Sequence, residues 1–519
     1  MNRSDLLGEL DFDAAVAKEL DSATRLLPPS PITVPLKFRS DKVAELIREE
    51  FVRGVQAKPA SVVLAPKVRG ARPLNLWRLQ DRVIYRALVE RLRLQLPIEL
   101  QSRRPHSEFE AAPYDNDNNA YICSTDITAY YQYIDHDVLA DELTAQTGDY
   151  HTVNALISLL EQVMGTRVGI PQVHASSDTL GDTYIDPIRR TLIREGYDAY
   201  VYADDFRIGC SSLGQARAAL ELCANAARSL GLVLNDSKTR TYKRKTYAST
   251  LKPLSAAATA LLGKMDLNRA AEFLMNGEYE ALGEPAPLAP DFGQFTDPTP
   301  GADDAERVTA PEFDEEDSTL ILGVWEAWAL NPDHHTDEFF RRFLGQALPG
   351  LGLLGESEPL EEMPTLLETA PHLTPQLTEY LRNLSAPGSF LADRTRAVVY
   401  SEVRSDRLSE WQKVWLASVL GSPSALRPLA KRLAPDPSQI VAWLEECVRD
   451  ESSDVLAAAA AEALGRLHMG STTILKKAYG RIAPEHRLSV LWALDRLDSE
   501  KAAEVADSKF DRLVLSDPQ

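Results

Sequence analysis

Two adjacent carboxylates, Asp204 and Asp205, are the residues of this sequence whose types and spacing best suit chemistry. They stand between the apolar run 199–201 and the strand-like segment 206–210, a pattern that predicts a β-hairpin with an acidic tip. Successive side chains of a strand point to opposite faces, so both carboxylates can meet one ligand only where the tip bends. Unpaired carboxylates this close repel each other, and Mg²⁺ prefers oxygen ligands of this kind. The pair therefore predicts a divalent-cation site, with an ordinary solvated turn as the alternative.

A third carboxylate, Asp126, ends a separate strand-like segment at 121–126. The alternation of a strand places Ile122, Ser124 and Asp126 on one face. An aromatic stretch at 130–133 follows directly. A carboxylate at the end of one buried strand, together with an acidic hairpin tip elsewhere in the chain, could complete a metal site from two strands.

Length and composition limit the classes of protein to which the chain can belong. A chain of 519 residues is too long for a single core, so we expect two or three domains. Its apolar fraction of 44% and charged fraction of 26% are typical of a soluble globular protein, and no apolar run reaches the length that spans a bilayer. No secretory segment follows Met1 and the four cysteines lack metal-like spacing, so we expect a cytoplasmic protein with reduced cysteines.

Charge is unevenly distributed along the chain. The formal net charge is −21, yet residues 37–104 hold 16 Lys or Arg against 7 Asp or Glu. Residues 238–252 hold six basic and no acidic residues, whereas residues 284–317 hold 11 acidic residues and one Arg. A basic front end fits a phosphate-binding surface, although basic side chains that only solvate helices are the alternative.

The first half of the chain alternates between helix and strand patterns. Residues 1–35 predict a helical extension that ends in a proline-rich connector. Apolar spacing then predicts helices at 41–52, 79–96 and 213–230, and a further helix that opens after 169–172. Strand patterns occur at 61–64, at 121–126, at the acidic hairpin and, briefly, near 232–234. The basic segment 67–76 predicts a hairpin that returns along the strand at 61–64.

Four motifs in this order resemble the motif series of bacterial reverse transcriptases. They are Asp126 with its trailing aromatics, Gly169-Ile170-Pro171-Gln172, Tyr202-Ala203-Asp204-Asp205, and Gly231-Leu232-x-Leu234-Asn235-x-x-Lys238-Thr239. The basic segment from Arg72 through Arg82 also resembles their fingers region, and the likeness spans roughly residues 55–250. The resemblance implies an α+β fold: a right-hand polymerase fingers–palm core of antiparallel sheet and helices at 36–250, with thumb-like helices at 251–283.

The resemblance also implies roles for the acidic residues. Asp126 and Asp204 would share Mg²⁺ or Mn²⁺ ions, with Asp205 beside them, in a two-metal-ion transfer of nucleotides. Lys238 matches the late lysine of the family, a candidate proton donor to pyrophosphate. An ordinary surface lysine is the alternative for Lys238.

Further residues would hold the substrate. Tyr131 lies where the family places a bulky side chain under the sugar, so it would disfavour a 2′-hydroxyl; a core aromatic is the alternative. Lys67 and Arg72 could grip the incoming triphosphate, since Arg suits bidentate phosphate contacts. Gln172 would lie near the nascent base pair.

One segment departs from the family pattern. After Gln172 the family usually continues with Gly, whereas this chain has Val173 and then His174. A β-branched residue thus replaces the permissive one where backbone and template approach closely, which argues against ordinary template gripping. For His174 a packed or solvated histidine is favoured over a nucleic-acid contact.

The second half of the chain differs in character. Residues 284–318 are rich in proline and acid and predict an extended linker. Residues 319–519 are helical in pattern, and helix pairs with Ala-rich faces between 408 and 497 favour a HEAT-like α-repeat domain. Because no clean period is readable, an irregular helical domain is the alternative.

A polymerase core with a helical tail resembles the abortive-infection and defence-associated reverse transcriptases of bacteria. The resemblance implies an RNA-directed DNA polymerase in antiphage defence, with dNTPs and RNA or single-stranded DNA as partners, assembled as a homo-oligomer with the tail around the palm. Members of this kind can prime synthesis from a protein hydroxyl, often without a template. The alternatives are a templated enzyme that copies a dedicated partner RNA and a polymerase-derived scaffold without chemistry.

Overall fold

The computed structural model describes residues 6–22, 26–68, 70–251, 315–335, 338–386, 389, 391–422 and 436–516. The thumb-like helices predicted for 251–283 and the acidic linker predicted for 284–318 therefore lie outside the described residues, apart from Leu251 and 315–318. Among the described helices, none is both long and apolar enough to cross a membrane.

The N-terminal half contains eleven described helices and six strands. The helices are α1 (Phe12–Asp21), α2 (Thr33–Phe38), α3 (Ser40–Arg53), α4 (Leu79–Arg93), α5 (Ile98–Gln101), α6 (His106–Asp115), α7 (His136–Thr147), α8 (Tyr150–Met164), α9 (Ala175–Arg194), α10 (Leu213–Ser229) and α11 (Arg244–Thr250). The strands are β1 (Ser61–Pro66), β2 (Ala71–Leu76), β3 (Tyr121–Asp126), β4 (Asp198–Tyr202), β5 (Asp205–Cys210) and β6 (Arg240–Lys243). The strand expected near 232–234 is a single antiparallel bridge between Leu234 and Ile127.

A four-stranded antiparallel sheet in the order β4-β5-β3-β6 carries the acidic residues. The side chains of one face, among them Cys123, Phe206 and Ile208, are fully buried. Helices α9 and α10 pack against these strands, and α6 contacts β4 and β5. The ends of β3 and β5 therefore have fixed positions in the core, which is the condition for a precise site at the strand ends.

A separate two-stranded sheet, formed by β1 and β2, is the fingers hairpin. A lone hairpin is at best marginally stable in water, so its apolar face needs a partner. Val63 and Leu74 on that face pack against Trp411 and Trp415 from the C-terminal half in one buried cluster. The C-terminal half thus completes the core of the hairpin.

The C-terminal half is helical throughout its described residues. Its helices are α12 (Glu315–Leu330), α13 (Glu338–Leu354), α14 (Glu358–Glu361), α15 (Met363–Thr369), α16 (Thr374–Leu384), α17 (Ala392–Val403), α18 (Glu410–Leu420), α19 (Pro437–Arg449), α20 (Asp454–Leu467), α21 (Thr472–Arg481), α22 (Arg487–Leu497) and α23 (Ser499–Val505). Pairs such as α13 with α16, and α20 with α22, pack side by side. These helices differ in length and establish no repeat period, so the HEAT-like description stays a prediction.

The proline-rich connector after α1 lies between the two halves. The indole nitrogens of Trp411 and Trp415 donate to the carbonyl of Leu26 at 2.5 and 3.3 Å. The guanidinium of Arg466 donates to the carbonyl of Pro29 at 2.9 Å. In the described part of the chain, the helical tail therefore packs against the fingers hairpin and the N-terminal connector.

Candidate active site

Asp126, Asp204 and Asp205 come together at one end of the four-stranded sheet. Each offers a carboxylate oxygen, and these oxygens all lie within 4.8 Å of one another. Asp126 ends β3 directly opposite Asp205, which begins β5. The carbonyl of Asp204 accepts a hydrogen bond of 3.0 Å from the amide of Ile127, which ties the hairpin loop to β3. We name these three side chains the acidic triad.

A tight turn bends the tip as the sequence requires. Tyr202 pairs with Asp205, so Ala203 and Asp204 alone form the loop. Ala203 has φ of 52°, and Asp204 does not share this positive φ. A positive φ at only the first loop residue is the pattern of a type II′ turn, which suits right-twisted strands and favours glycine at that position. The turn brings two successive carboxylates to the same side.

The carboxylates of the acidic triad are partly buried and repel one another. Burial, together with the neighbouring charges of Asp126 and Asp205, raises the pKa of Asp204 to about 6. Burial also raises the pKa of Asp205, in opposition to the nearby Arg207. Both shifts mean that the folded chain disfavours the ionised carboxylates, the state that a bound cation would stabilise.

Two side chains beyond β5 contact Asp126. The ammonium of Lys238 lies 2.7 Å from one carboxylate oxygen, and the amide of Asn235 donates to the other at 3.1 Å. Although partial burial lowers the pKa of Lys238, its hydrogen bond to Asp126 raises that pKa overall. The backbone amide of Asn235 also donates to the carbonyl of Asp126, at 2.7 Å. Asn235 was predicted only as part of a motif, and its contact is not readable from the sequence.

The fingers hairpin carries two basic residues, Lys67 and Arg72, whose charges interact with Asp204. Arg72 pairs with Ala65 in the hairpin register, and Lys67 follows at the end of β1. Burial lowers the pKa of Arg72, while the charge of Asp204 opposes this shift. Burial and the charge of Arg72 lower the pKa of Lys67, with Asp204 again opposing. Both cations are therefore close enough to interact with the acidic triad.

Tyr131 lies in a single 3₁₀ turn, Tyr130–Gln132, that follows β3. Its hydroxyl donates to a carboxylate oxygen of Asp178 at 2.8 Å. The side chain lies along α9, where Gly181 leaves room for the ring: a Cβ at that glycine would lie 3.5 Å from Tyr131. Burial, with the charge of Asp178, raises the pKa of Tyr131 well above its usual value.

Gln172 and His174 lie in the loop that directly precedes α9. Gln172 lines a cavity of about 70 Å³ between this loop and β2, and it makes no hydrogen bond to the acidic triad. His174 packs between Trp77 and Tyr85, its Nε2 lies 3.3 Å from Glu19, and its Nδ1 accepts from the amide of Ser176. The interpretation of His174 as a packed histidine is therefore supported.

Val173 adopts a backbone conformation that suits the glycine it replaces. Its φ is 61°, in the left-handed region, where β-branched residues are outliers. Its side chain packs against the buried cluster that the strands of the fingers hairpin form with Trp411 and Trp415. The departure from the family pattern thus coincides with a strained position whose side chain packs against the cluster between the fingers hairpin and the C-terminal half.

Arg207 completes the surroundings of the triad. It lies two residues after Asp205 in β5, and its guanidinium is 3.5 Å from the carboxylate of Asp205. The guanidinium also lies over the ring of Phe109, 5.0 Å from the centroid. Period-two spacing along β5 could have placed Arg207 beside Asp205, but its charge was not singled out from the sequence.

One known protein family matches the part of the chain that contains this site. The family model described as "Reverse transcriptase (RNA-dependent DNA polymerase)" matches residues 60–260. This span includes the acidic triad and the fingers hairpin, and residues 60–260 therefore carry a reverse transcriptase domain. A domain of this class indicates nucleic-acid polymerase activity.

A solved structure is also similar to the chain, but only weakly. A solved telomerase from Candida tropicalis, in complex with a fragment of telomeric RNA, is similar over 78% of this chain and 67% of that chain. Its sequence identity is 10% and its TM-score 0.29, a value too low to support any conclusion. No curated protein sequence matches the chain.

Proposed function

We propose that this protein is a cytoplasmic reverse transcriptase that adds dNTPs to DNA by a two-metal-ion mechanism. The observation that carries the proposal is the acidic triad, whose three carboxylate oxygens from two strands lie within 4.8 Å of one another. This oxygen-only donor set fits Mg²⁺ or Mn²⁺, which prefer carboxylates and complete their shells with water and substrate phosphates.

The chain's own residues supply the rest of the chemistry. When bound, the metal ions would lower the pKa of the attacking hydroxyl and neutralise charge on the phosphates. Lys67 and Arg72 face the triad and bind the triphosphate, which positions it for in-line transfer. Lys238, whose ammonium lies 2.7 Å from Asp126, would donate the proton to the leaving pyrophosphate. Tyr131 crowds the 2′ position of the sugar.

We further propose a role in bacterial antiphage defence, as a homo-oligomer, with protein-primed synthesis that needs no template. The helical tail supports this role, because it resembles that of defence-associated reverse transcriptases. The strained Val173, where the family usually has Gly, argues against ordinary contact with a template strand. Its side chain and the packed His174 are committed to protein contacts.

Incubation of the purified full chain with labelled dNTPs and Mg²⁺ or Mn²⁺, followed by denaturing electrophoresis, tests these statements. We expect incorporation by the natural sequence, none by the double variant Asp204→Ala with Asp205→Ala, and full incorporation by Asp236→Asn. Asp236 is an exposed carboxylate of the same region and serves as the matched control. Activity retained by the double variant would refute the site assignment.

The same experiment separates the modes of synthesis. Product that stays on the protein after denaturation supports protein priming. A defined RNA–cDNA hybrid, found by sequencing the nucleic acid that copurifies, supports templated copying of a partner RNA. A folded chain that incorporates nothing would be the scaffold without chemistry.

A further inference from the structure

Arg103 is not among the site residues that the sequence predicts. It lies in the segment between α5 and α6, and its side chain is 24% exposed. Its Nε and Nη2 donate to the two carboxylate oxygens of Asp182 at 2.7 and 2.8 Å, a bidentate pair. A guanidinium fork matches a carboxylate in this way, and an ammonium cannot.

The same guanidinium reaches Tyr131 and its partner. Nη2 donates to the hydroxyl of Tyr131 at 3.4 Å and to the backbone carbonyl of Asp178 at 3.2 Å. Nη1 lies 3.4 Å from the carboxylate of Asp178, which in turn accepts the hydroxyl of Tyr131 at 2.8 Å. The Tyr131 hydroxyl is therefore held by a closed set of contacts.

Arg103 also contacts the hairpin that carries the acidic triad. Its guanidinium lies over the ring of Tyr202, 5.5 Å from the centroid, and Tyr202 is the last residue of β4 before the acidic loop. One side chain thus touches three parts of the site: α9 through Asp178 and Asp182, the turn after β3 through Tyr131, and the hairpin through Tyr202.

We propose that Arg103 is a positioning residue for sugar selection: it fixes the ring of Tyr131, through Asp178 and Asp182, against the hairpin of the acidic triad. This inference rests on the proposed function. A ring held at its hydroxyl and packed against Gly181 cannot rotate away from a 2′-hydroxyl, whereas an unanchored ring can. Selectivity therefore depends on the anchor as well as on the presence of an aromatic side chain.

The test is the ratio of kcat/KM for a dNTP to that for the matching rNTP, measured on the full chain with Mg²⁺. Arg103→Lys keeps the charge and loses the fork, and we expect it to lower the ratio about tenfold, since small displacements of positioned groups have effects of this size or larger. Tyr131→Phe keeps the ring and removes the anchored hydroxyl, and we expect a smaller fall in the same direction. Arg104→Lys, at the exposed neighbouring position, should leave the ratio unchanged.

The outcomes are distinct. A lower ratio in Arg103→Lys that arises from faster rNTP use, with kcat for dNTP near that of the natural sequence, supports the proposal. An unchanged ratio in both Arg103→Lys and Tyr131→Phe, in enzymes that still use dNTPs, overturns it and leaves the proposed function intact. If Arg103→Lys fails to fold, the ratio measured for Tyr131→Phe decides alone. This variant keeps the ring and loses only the hydroxyl that contacts Asp178 and Arg103. A natural chain without any incorporation overturns the proposed function and this inference together.

Discussion

Replacement of Asp204 by Asn should stabilise the metal-free protein at neutral pH. The pKa of Asp204 rises from 3.8 to about 6 in the folded chain, because of burial and of the charges of Asp126 and Asp205. A carboxyl group with a raised folded pKa destabilises the fold wherever it must ionise. Below about pH 3 it is protonated in both states and contributes nothing, and above about pH 7 it is ionised in both. At about 1.4 kcal/mol per pKa unit, the two-unit shift corresponds to about 3 kcal/mol.

The difference in unfolding free energy between Asp204→Asn and the natural sequence should therefore grow with pH. In urea denaturation with a chelator, we expect almost no difference near pH 3 and about 3 kcal/mol in favour of the variant at pH 7 and above. Added Mg²⁺ should stabilise the natural protein, because a ligand of the folded state shifts unfolding by mass action. It should do so much less for Asp204→Asn.

Asp236→Asn is the matched control, since it also removes one carboxylate but at an exposed position. It should follow the natural protein in both its pH profile and its response to Mg²⁺. Parallel pH profiles for Asp204→Asn and the natural chain would refute the electrostatic reasoning. Equal stabilisation of the two by Mg²⁺ would refute the metal site.

Three further perturbations test other contacts. Lys238→Met removes the ammonium at 2.7 Å from Asp126, and we expect kcat to fall while KM for dNTP stays; a rise in KM alone would contradict its role as a proton donor. Trp411→Ala empties a buried position, so urea denaturation should show a loss of about 3–5 kcal/mol, with a smaller loss for Trp411→Phe; equal stabilities would contradict the interface with the fingers hairpin. Glu19→Gln removes a buried carboxylate whose pKa, although raised by burial, is held far below normal overall by His174, Arg82 and Arg86. Its destabilisation should be full above the unfolded pKa of about 4 and should shrink as the medium is made more acidic; a loss independent of pH would contradict the ion pairs.

Local features of the site were predictable because they depend on neighbours in sequence. The hairpin around Asp204 follows from two strand patterns separated by a short polar loop, and the end of β3 at Asp126 follows from its alternation. The order of motifs then indicated that both segments belong to one domain. The approach of the carboxylates within 4.8 Å needed the register of β3 and β5, which the sequence does not state.

The residues that hold this site in place were not predictable in the same way. Arg103 reaches Asp182 across 79 positions of sequence, and Asn235 reaches Asp126 across 109. No periodicity links such pairs, and a basic residue in a basic segment gives no indication of its partner. The tail was likewise predicted as helical, but its packing on the fingers hairpin depends on the shape of the folded chain.

Val173 combines a local feature that the sequence predicts, the departure from the family glycine, with a long-range contact that it does not predict. Left-handed backbone at a β-branched residue costs on the order of 1–2 kcal/mol relative to glycine, so the fold must offset it elsewhere. The offset available is the packing of its side chain against the buried cluster of the fingers hairpin, Trp411 and Trp415, which a glycine could not provide. Burial of part of an aliphatic side chain is worth about 1–2 kcal/mol, the same size as the strain. The loop before α9 is therefore packed, at the position where the family usually has a glycine, against the buried cluster that the fingers hairpin shares with Trp411 and Trp415.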